Sequence, residues 1–288
     1  MSTVYLNGHF IPASEAKISP MDRGFLFGDG IYEVIPSYHG RFVGFAPHIT
    51  RLHNGLAELS IQHGMTEARW ADICQQLLTL NRPSMGDNLA VYIQVSRGAD
   101  TKRNHAFPTD IRPTIFAYAF AIAAEPVADK QQATTYHAVT GNDLRWQRCH
   151  IKSTSLLGNV LHYQQGKEQG AQEILLFDRE GFLTEGAAVN VFVIKNGEIA
   201  TPPLSNKLLP GVTRLLLLQI LRQHSQLKVV ERDISYDEVL AADEIWLTSS
   251  SKEIAPVTLL NNQPVGNGQV GDIWLQAQQL FSQYKYSI

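Results

Sequence analysis

The sequence predicts an α+β protein of two sheet-based domains, and three observations carry that expectation. Alternating strands with a hairpin turn open the chain, two helix-period segments follow, and a second run of strands begins beyond a polar, proline-bearing stretch. That stretch, "AAEPVADKQQ" at 123–132, reads as a linker, so the domains are expected at 1–122 and 133–288.

Each element has its own signal. "VYLNGHFIP" alternates about Asn7-Gly8, the signature of a type I′ hairpin, and "GRFVGF" adds a strand. "HITRLHNGLAELSI" places Leu52, Leu56 and Leu59 at helical spacing, and "TEARWADICQQLLTL" does the same with Trp70, Ile73, Leu77 and Leu80 behind a Thr66 cap. "NLAVYIQVSRG" and "RPTIFAYAFAI" read as buried strands flanking the polar loop "ADTKRNHAFPTD". Past the linker, "EILLFDREGFLTEGAAVNVFVIKNGEIATPP" is a meander with turns at Asp178 to Gly181 and at Asn196-Gly197. A helix starts just after Pro210-Gly211, and Ser235 with Glu238 forms a capping box for another. "EIWLTSSS" is a strand, Asn261-Asn262 turns a hairpin, and a last helix begins at Asp272.

Composition narrows the function. With 44% hydrophobic and 18% charged residues among 288, the chain can bury a large core. A net charge of -3 without blocks of like charge leaves no footprint for nucleic acid or an anionic membrane, so small-molecule partners are expected. The start "MSTVYLNGHF" lacks a basic region followed by an apolar one, and no apolar run approaches membrane-spanning length, which points to the cytoplasm. Cys74 and Cys149 match no zinc or redox spacing, so neither a cysteine-bound metal nor a disulfide framework is expected, and both read as buried thiols.

Five features carry chemistry. In "RCHIKSTSLLGNV" the charges of Arg148 and His150 near Lys152, ahead of a run that reads as buried, would push a lysine toward its neutral, nucleophilic form. Glu185 lies between two apolar strands, where a carboxylate calls for a cationic partner such as a protonated pyridine nitrogen. "LPGVTR" offers backbone amides at a helix start and the Thr213 hydroxyl to a phosphate, and Ser249, Ser250 and Ser251 offer hydroxyls in a turn after a strand. Arg51 can add a forked contact to such a phosphate. Taken singly, each also fits a surface lysine, a turn carboxylate, a helix cap, a polar loop or a surface arginine. Together they describe a phosphorylated, carbonyl-bearing cofactor.

The segments "DRGFLFGDGIYEV", "HITRL", "IKSTSLLGNVL", "LTEGAAVNVF", "LLPGVTR" and "LTSSSKEIAPV" resemble, in order, the motifs of fold-type IV pyridoxal-phosphate enzymes, the branched-chain and D-amino-acid aminotransferases. The resemblance spans essentially the whole chain. It implies a two-domain α+β fold with pyridoxal 5′-phosphate between the domains, and a homodimer. It implies that Lys152 is the Schiff-base lysine, that Glu185 pairs with the pyridine nitrogen and that Leu209 packs on the ring. Arg51, Val212, Thr213, Ser249 and Ser250 would hold the phosphate. The implied activity is a ping-pong transamination in which Lys152 moves the proton from the substrate Cα and a 2-oxo acid recharges the enzyme.

Within the family the loop "RGADTKRNHAF" favours the D-amino-acid branch. There an Arg-x-His pair reaching in from the partner subunit joins a tyrosine to bind the substrate carboxylate, and Arg103, His105 and Tyr32 match it. Leu157 stands where branched-chain relatives carry a tyrosine that contacts the cofactor phenolate, which argues against that branch. Ala187 and Ala188 replace serines common in D-specific relatives, although Asn190 is kept. The expected reaction moves the amino group of D-alanine or D-glutamate to a 2-oxo acid. The alternatives are an aminodeoxychorismate lyase of the same fold, an amine or branched-chain transaminase, and a non-enzymatic cofactor-binding protein. His48, His53 and His162 read as structural or exposed.

Overall fold

Asn7 and Gly8, with φ of 48° and 103°, turn the chain between strands β1 (Thr3–Leu6) and β2 (His9–Pro12) as the sequence predicts. They open a computed structural model that describes residues 2–288 and divides into two units. The first runs to Glu125 and also takes in Ile151–Leu156; the second comprises Pro126–His150 and Leu157–Ile288.

The first unit is an antiparallel six-stranded sheet in the order β2-β1-β6-β5-β3-β4. Strand β3 is Gly30–Tyr38, β4 Arg41–Phe42, β5 Asn88–Ser96 and β6 Thr114–Ala121. A short helix, α1 (Arg23–Phe27), precedes β3, and α2 (Phe45–Glu58) and α3 (Glu67–Met85) follow β4. The Thr66 hydroxyl caps α3 by accepting from the Arg69 N–H. Leu52 and Leu56 of α2 and Trp70, Ile73 and Leu77 of α3 close over Ile31, Ile35, Val91 and Ile93 of the sheet. Burying each such side chain contributes about 1.5–3 kcal/mol.

The second unit is a mixed sheet ordered β12-β11-β10-β13-β14-β7-β8-β9, with β15 on β14. Its strands are β7 (Tyr136–Asn142), β8 (Glu173–Phe177), β9 (Leu183–Gly186), β10 (Asn190–Lys195), β11 (Glu198–Thr201), β12 (Lys228–Glu231), β13 (Glu244–Ser249), β14 (Glu253–Leu260) and β15 (Gln263–Pro264). Its helices are α4 (Leu157–Glu168), α5 (Val212–His224), α6 (Tyr236–Leu240) and α7 (Asp272–Tyr284). Helix α5 starts behind Gly211, and Ser235 caps α6 by accepting from the Glu238 N–H. The Glu238 carboxylate does not complete a capping box, because Arg232 takes it.

Three expectations change. Residues 151–156, expected in the second domain, are hydrogen-bonded into the first unit alongside β3. Residues 126–132, expected as linker, belong to the second unit, where Lys130 pairs with Asp272 at 2.5 Å. The run after Lys152 is not buried. Leu157, Val160 and Leu161 of α4 are 71%, 57% and 61% exposed, while the helix buries His162 and Gly166. No described helix is long and apolar enough to cross a membrane.

Candidate active site

Lys152 is positioned by the edge of β3. Ser153 bridges to Ile31, the Tyr32 N–H donates to the Lys152 carbonyl at 3.0 Å, and the Thr154 N–H donates to the Gly30 carbonyl at 2.9 Å. The Thr154 hydroxyl reaches the Gly28 carbonyl at 2.9 Å. Gly28 has φ of 66° and a Cβ there would lie 2.3 Å from Ser155 Oγ, so both conformation and space demand glycine. The Lys152 amine, thus aimed, sits 4.1 Å from the centre of the Tyr32 ring, which stacks in turn on Tyr92. The expected cationic cluster is different: Arg148 is exposed, where solvent screens its charge, and lies in the second unit.

One residue past Tyr32, Glu33 is wholly buried and carries two partners from α2. Arg51 donates to it from Nε at 2.7 Å and from a terminal nitrogen at 2.8 Å, and His48 Nδ1 lies 2.7 Å away. Burial opposes ionisation of Glu33, but Arg51 and then His48 overcome it and hold the carboxyl down to about 2. An ionised carboxylate only accepts, so His48 donates from Nδ1. Burial, helped by the charges of Arg51 and Lys152, outweighs Glu33 and keeps His48 below its usual range. His53 accepts from the Trp70 indole and His162 from the Leu144 N–H, both structural bonds as expected.

Arg103 and His105 meet on one ring. The Arg103 guanidinium lies 5.0 Å from the centre of Phe27 and the His105 ring 5.4 Å from it. Both residues are exposed. Tyr32, expected with them, makes its ring contacts with Tyr92 and Lys152 instead.

In the second unit Glu185, the penultimate residue of β9, has both carboxylate oxygens occupied. Arg145 donates to Oε1 at 2.5 Å, while the Asn190 amide at 3.1 Å and the Leu209 N–H at 3.0 Å donate to Oε2. The cationic partner that burial demands is therefore supplied by the chain itself. Arg145 is in turn held by Asp143, through its own N–H and the Nε edge of its guanidinium. Thr184 donates to the same Asp143 at 2.8 Å. Burial, and to a lesser degree the charge of Asp143, outweighs Arg145 and lifts the Glu185 carboxyl to about 7. Gly211 is needed nearby, since a Cβ on it would lie 2.0 Å from the Asn190 side-chain oxygen.

Val212 and Thr213 form the first turn of α5, which packs on β13. At the end of β13 the hydroxyls of Thr248 and Ser249 are buried and have no hydrogen-bond partner within the protein. Ser250 begins the turn that follows. Buried hydroxyls without a partner, like the free amides of a helix start, are donors suited to an anion.

The structure thus pairs Lys152 with Tyr32, Arg103 with His105, and Glu185 with Leu209, while Arg51 lies on Glu33. Sequence reasoning missed Asp143, Arg145, Glu33 and Thr248. The signal for the first three was the cost of burying Glu185 and Arg51 unpaired, which requires partners without naming them. Both cysteines are free and buried, and no group of acidic, His or Cys residues suited to a metal exists among the described residues.

The family model described as "Amino-transferase class IV" matches residues 30–260. A D-alanine aminotransferase of Staphylococcus haemolyticus is 37% identical over 99% of this chain and 98% of its own, and one of Bacillus licheniformis is 36% identical over 96% and 94%. Among solved structures, a branched-chain amino acid aminotransferase of Escherichia coli superposes with a TM-score of 0.89 at 22% identity, covering 98% of this chain and 94% of that one. A branched-chain amino acid aminotransferase of T.th., complexed with N-(5′-phosphopyridoxyl)-L-glutamate, gives 0.86 at 20% identity over 99% and 94%. At these identities the solved structures speak for the fold, which is fold-type IV.

Proposed function

This chain belongs to the class IV amino-transferase family, and from that premise we propose that it moves the amino group of a D-amino acid to a 2-oxo acid. As a family member it is a pyridoxal-phosphate-dependent aminotransferase. The observation that carries the substrate reading is the likeness, over 99% of the chain, to D-alanine aminotransferases. Arg103 and His105, gathered on Phe27, support it, since a guanidinium fork beside an imidazole suits a carboxylate.

The residues fit the cofactor. The unpartnered hydroxyls of Thr248 and Ser249, with the amides of Val212 and Thr213, suit a phosphate, and Ser250 extends that set, while Arg51, expected there by resemblance, donates to Glu33 in the first unit. Leu209, tied by its N–H to Glu185, is the residue for the ring face. When bound, pyridoxal phosphate supplies an aldehyde for amines and a protonated ring that draws electrons from the substrate α-carbon.

The chain's own residues do the rest. Lys152 Nζ holds the cofactor and takes the proton from the substrate Cα, a task that needs an amine fixed as β3 and Thr154 fix this one. Glu185, its carboxyl raised by burial, holds a proton at the ring nitrogen, and Arg145 with Asn190 keeps it aimed. Tyr32 flanks Lys152, and Arg103 and His105 bind the substrate carboxylate from a partner subunit. A homodimer is part of this reading, and the exposed apolar stripe Leu157, Val160 and Leu161 supports it. A cytoplasmic location fits the two free thiols.

Steady-state assay with D-alanine and 2-oxoglutarate tests the reading. Continued formation of pyruvate, beyond one equivalent of enzyme, only when the acceptor is present, with D-glutamate in step with it, is expected. Pyruvate released from aminodeoxychorismate without an acceptor would move the assignment to a lyase.

A further inference from the structure

The loop that carries Arg103 and His105 is exposed from Thr101 to Phe107 and makes no strand pairing there. Its backbone is nevertheless held at one place. Arg23 of α1, 3% exposed, donates from one terminal nitrogen to the Asn104 carbonyl at 2.5 Å and from the other to the His105 carbonyl at 3.2 Å. Its Nε donates to Asp29 at 2.8 Å. A planar fork across two successive carbonyls fixes the peptide between them. That peptide joins Asn104 to His105, next to Arg103.

Asp29 is the hub behind this fork. It accepts from Arg23 Nε and from Arg97 at 2.8 and 2.9 Å. Arg97 also donates to the Leu59 carbonyl at 2.8 Å, and its guanidinium covers the Phe107 ring at 3.5 Å. Burial would raise the Asp29 carboxyl, but Arg97 and Arg23 hold it below the usual carboxylate range, so the hub stays charged. Arg23 also lies 4.8 Å from the centre of Phe27, the ring that seats both Arg103 and His105.

We propose that Arg23, locked on Asp29, is the positioning residue of the carboxylate-binding loop, setting the backbone from which Arg103 and His105 project. The proposal rests on the reading of that pair as carboxylate ligands. Arg23 touches neither substrate nor cofactor in this account; it acts through the loop. Its loss therefore weakens substrate binding more than turnover.

The test is Arg23→Lys in the holoenzyme, which keeps the charge for Asp29 and loses the fork. KM for D-alanine and for the 2-oxo acid is expected to rise roughly tenfold, the equivalent of one charge-assisted hydrogen bond, with kcat within about threefold. Hydrogen exchange is expected to quicken across residues 99–107 and to stay unchanged in β3 and β5. Phe27→Leu, which removes the shared ring from a half-buried position, keeps the test open should Arg23→Lys fold poorly, and is expected to raise KM in the same sense. Unchanged KM in either folded variant, or a fall in kcat and thermal midpoint without a change in KM, overturns the proposal. Arg103→Ala separates the two layers. A normal KM in Arg103→Ala overturns the carboxylate reading and the proposal with it; a raised KM there with a normal KM in Arg23→Lys overturns the positioning role alone.

Discussion

Arg145 donates to Glu185 at 2.5 Å across 40 residues of sequence, and it does so with its other edge already committed to Asp143. The buried carboxylate is therefore one member of a chain of charges, Asp143, Arg145, Glu185, held inside the second unit. Removing the middle member leaves two acids facing each other without a cation. Arg145→Leu is expected to cost about 3–5 kcal/mol of stability, as breaking a buried pair does. Urea unfolding of the cofactor-free protein measures it. Adding Glu185→Gln to Arg145→Leu is expected to recover part of that loss, and a double variant no more stable than Arg145→Leu would contradict the pairing.

Glu33 sets an acid limit on stability. Its folded-state carboxyl, at about 2, lies below the 4.5 of an unperturbed glutamate, so the folded state binds fewer protons than the unfolded one between those values. The contribution is present in full above pH 4.5 and is lost as pH falls toward 2. A shift of that size is worth about 3 kcal/mol. Glu33→Gln is expected to lower stability at pH 7 and to flatten the pH dependence through this window. A variant with the wild-type acid slope would show that another carboxylate carries it.

Ser249 offers a test with opposite signs. Its hydroxyl is buried without a partner, so Ser249→Ala removes an unsatisfied polar group and should leave the cofactor-free protein as stable as before, or more so. Pyridoxal phosphate should bind roughly tenfold more weakly, by loss of one charge-assisted bond to the phosphate. Equilibrium dialysis and thermal melts, run together, read both effects.

Lys152→Ala is expected to reduce transamination by more than about 10⁴-fold, since in the proposed function it deletes both the amine that holds the cofactor and the base for the Cα proton. Tyr32→Phe keeps the ring 4.1 Å from Lys152 Nζ and should preserve the visible band of the holoenzyme. A Lys152→Ala enzyme that turns over normally would end the assignment of that residue.

Val160→Asp combined with Leu161→Asp places charge on the exposed stripe of α4. Light scattering of the wild type is expected to give a dimer and of the variant a monomer, with KM for D-alanine raised, since in the proposed function Arg103 and His105 serve a partner's site. A variant that remains dimeric would place the subunit contact elsewhere.

The sequence and the structure agree where the signal is local. Thr66, Ser235 and the Asn7-Gly8 and Asn196-Gly197 turns act within a few residues, so caps, hairpins and the starts of α5 and α7 were legible. Helix α4 was not, because its apolar residues face out and its buried ones are a histidine and a glycine, which inverts the usual pattern. The site divides in the same way. Lys152 and Glu185 sit in recognisable motifs, whereas Arg145 for Glu185, Glu33 for Arg51 and Arg23 for the loop are partners chosen by tertiary packing, 40, 18 and about 80 residues away. Burial cost predicts that such partners exist; only the fold says which they are.

The most direct measurement is a single turnover of the holoenzyme, following its visible absorbance as D-alanine or L-leucine is added with no acceptor. Loss of the band with D-alanine alone, and pyruvate formed in proportion to enzyme, is the outcome expected of a D-amino-acid transaminase built on Lys152, Glu185, Arg103 and His105. Loss of the band with L-leucine and none with D-alanine would contradict it.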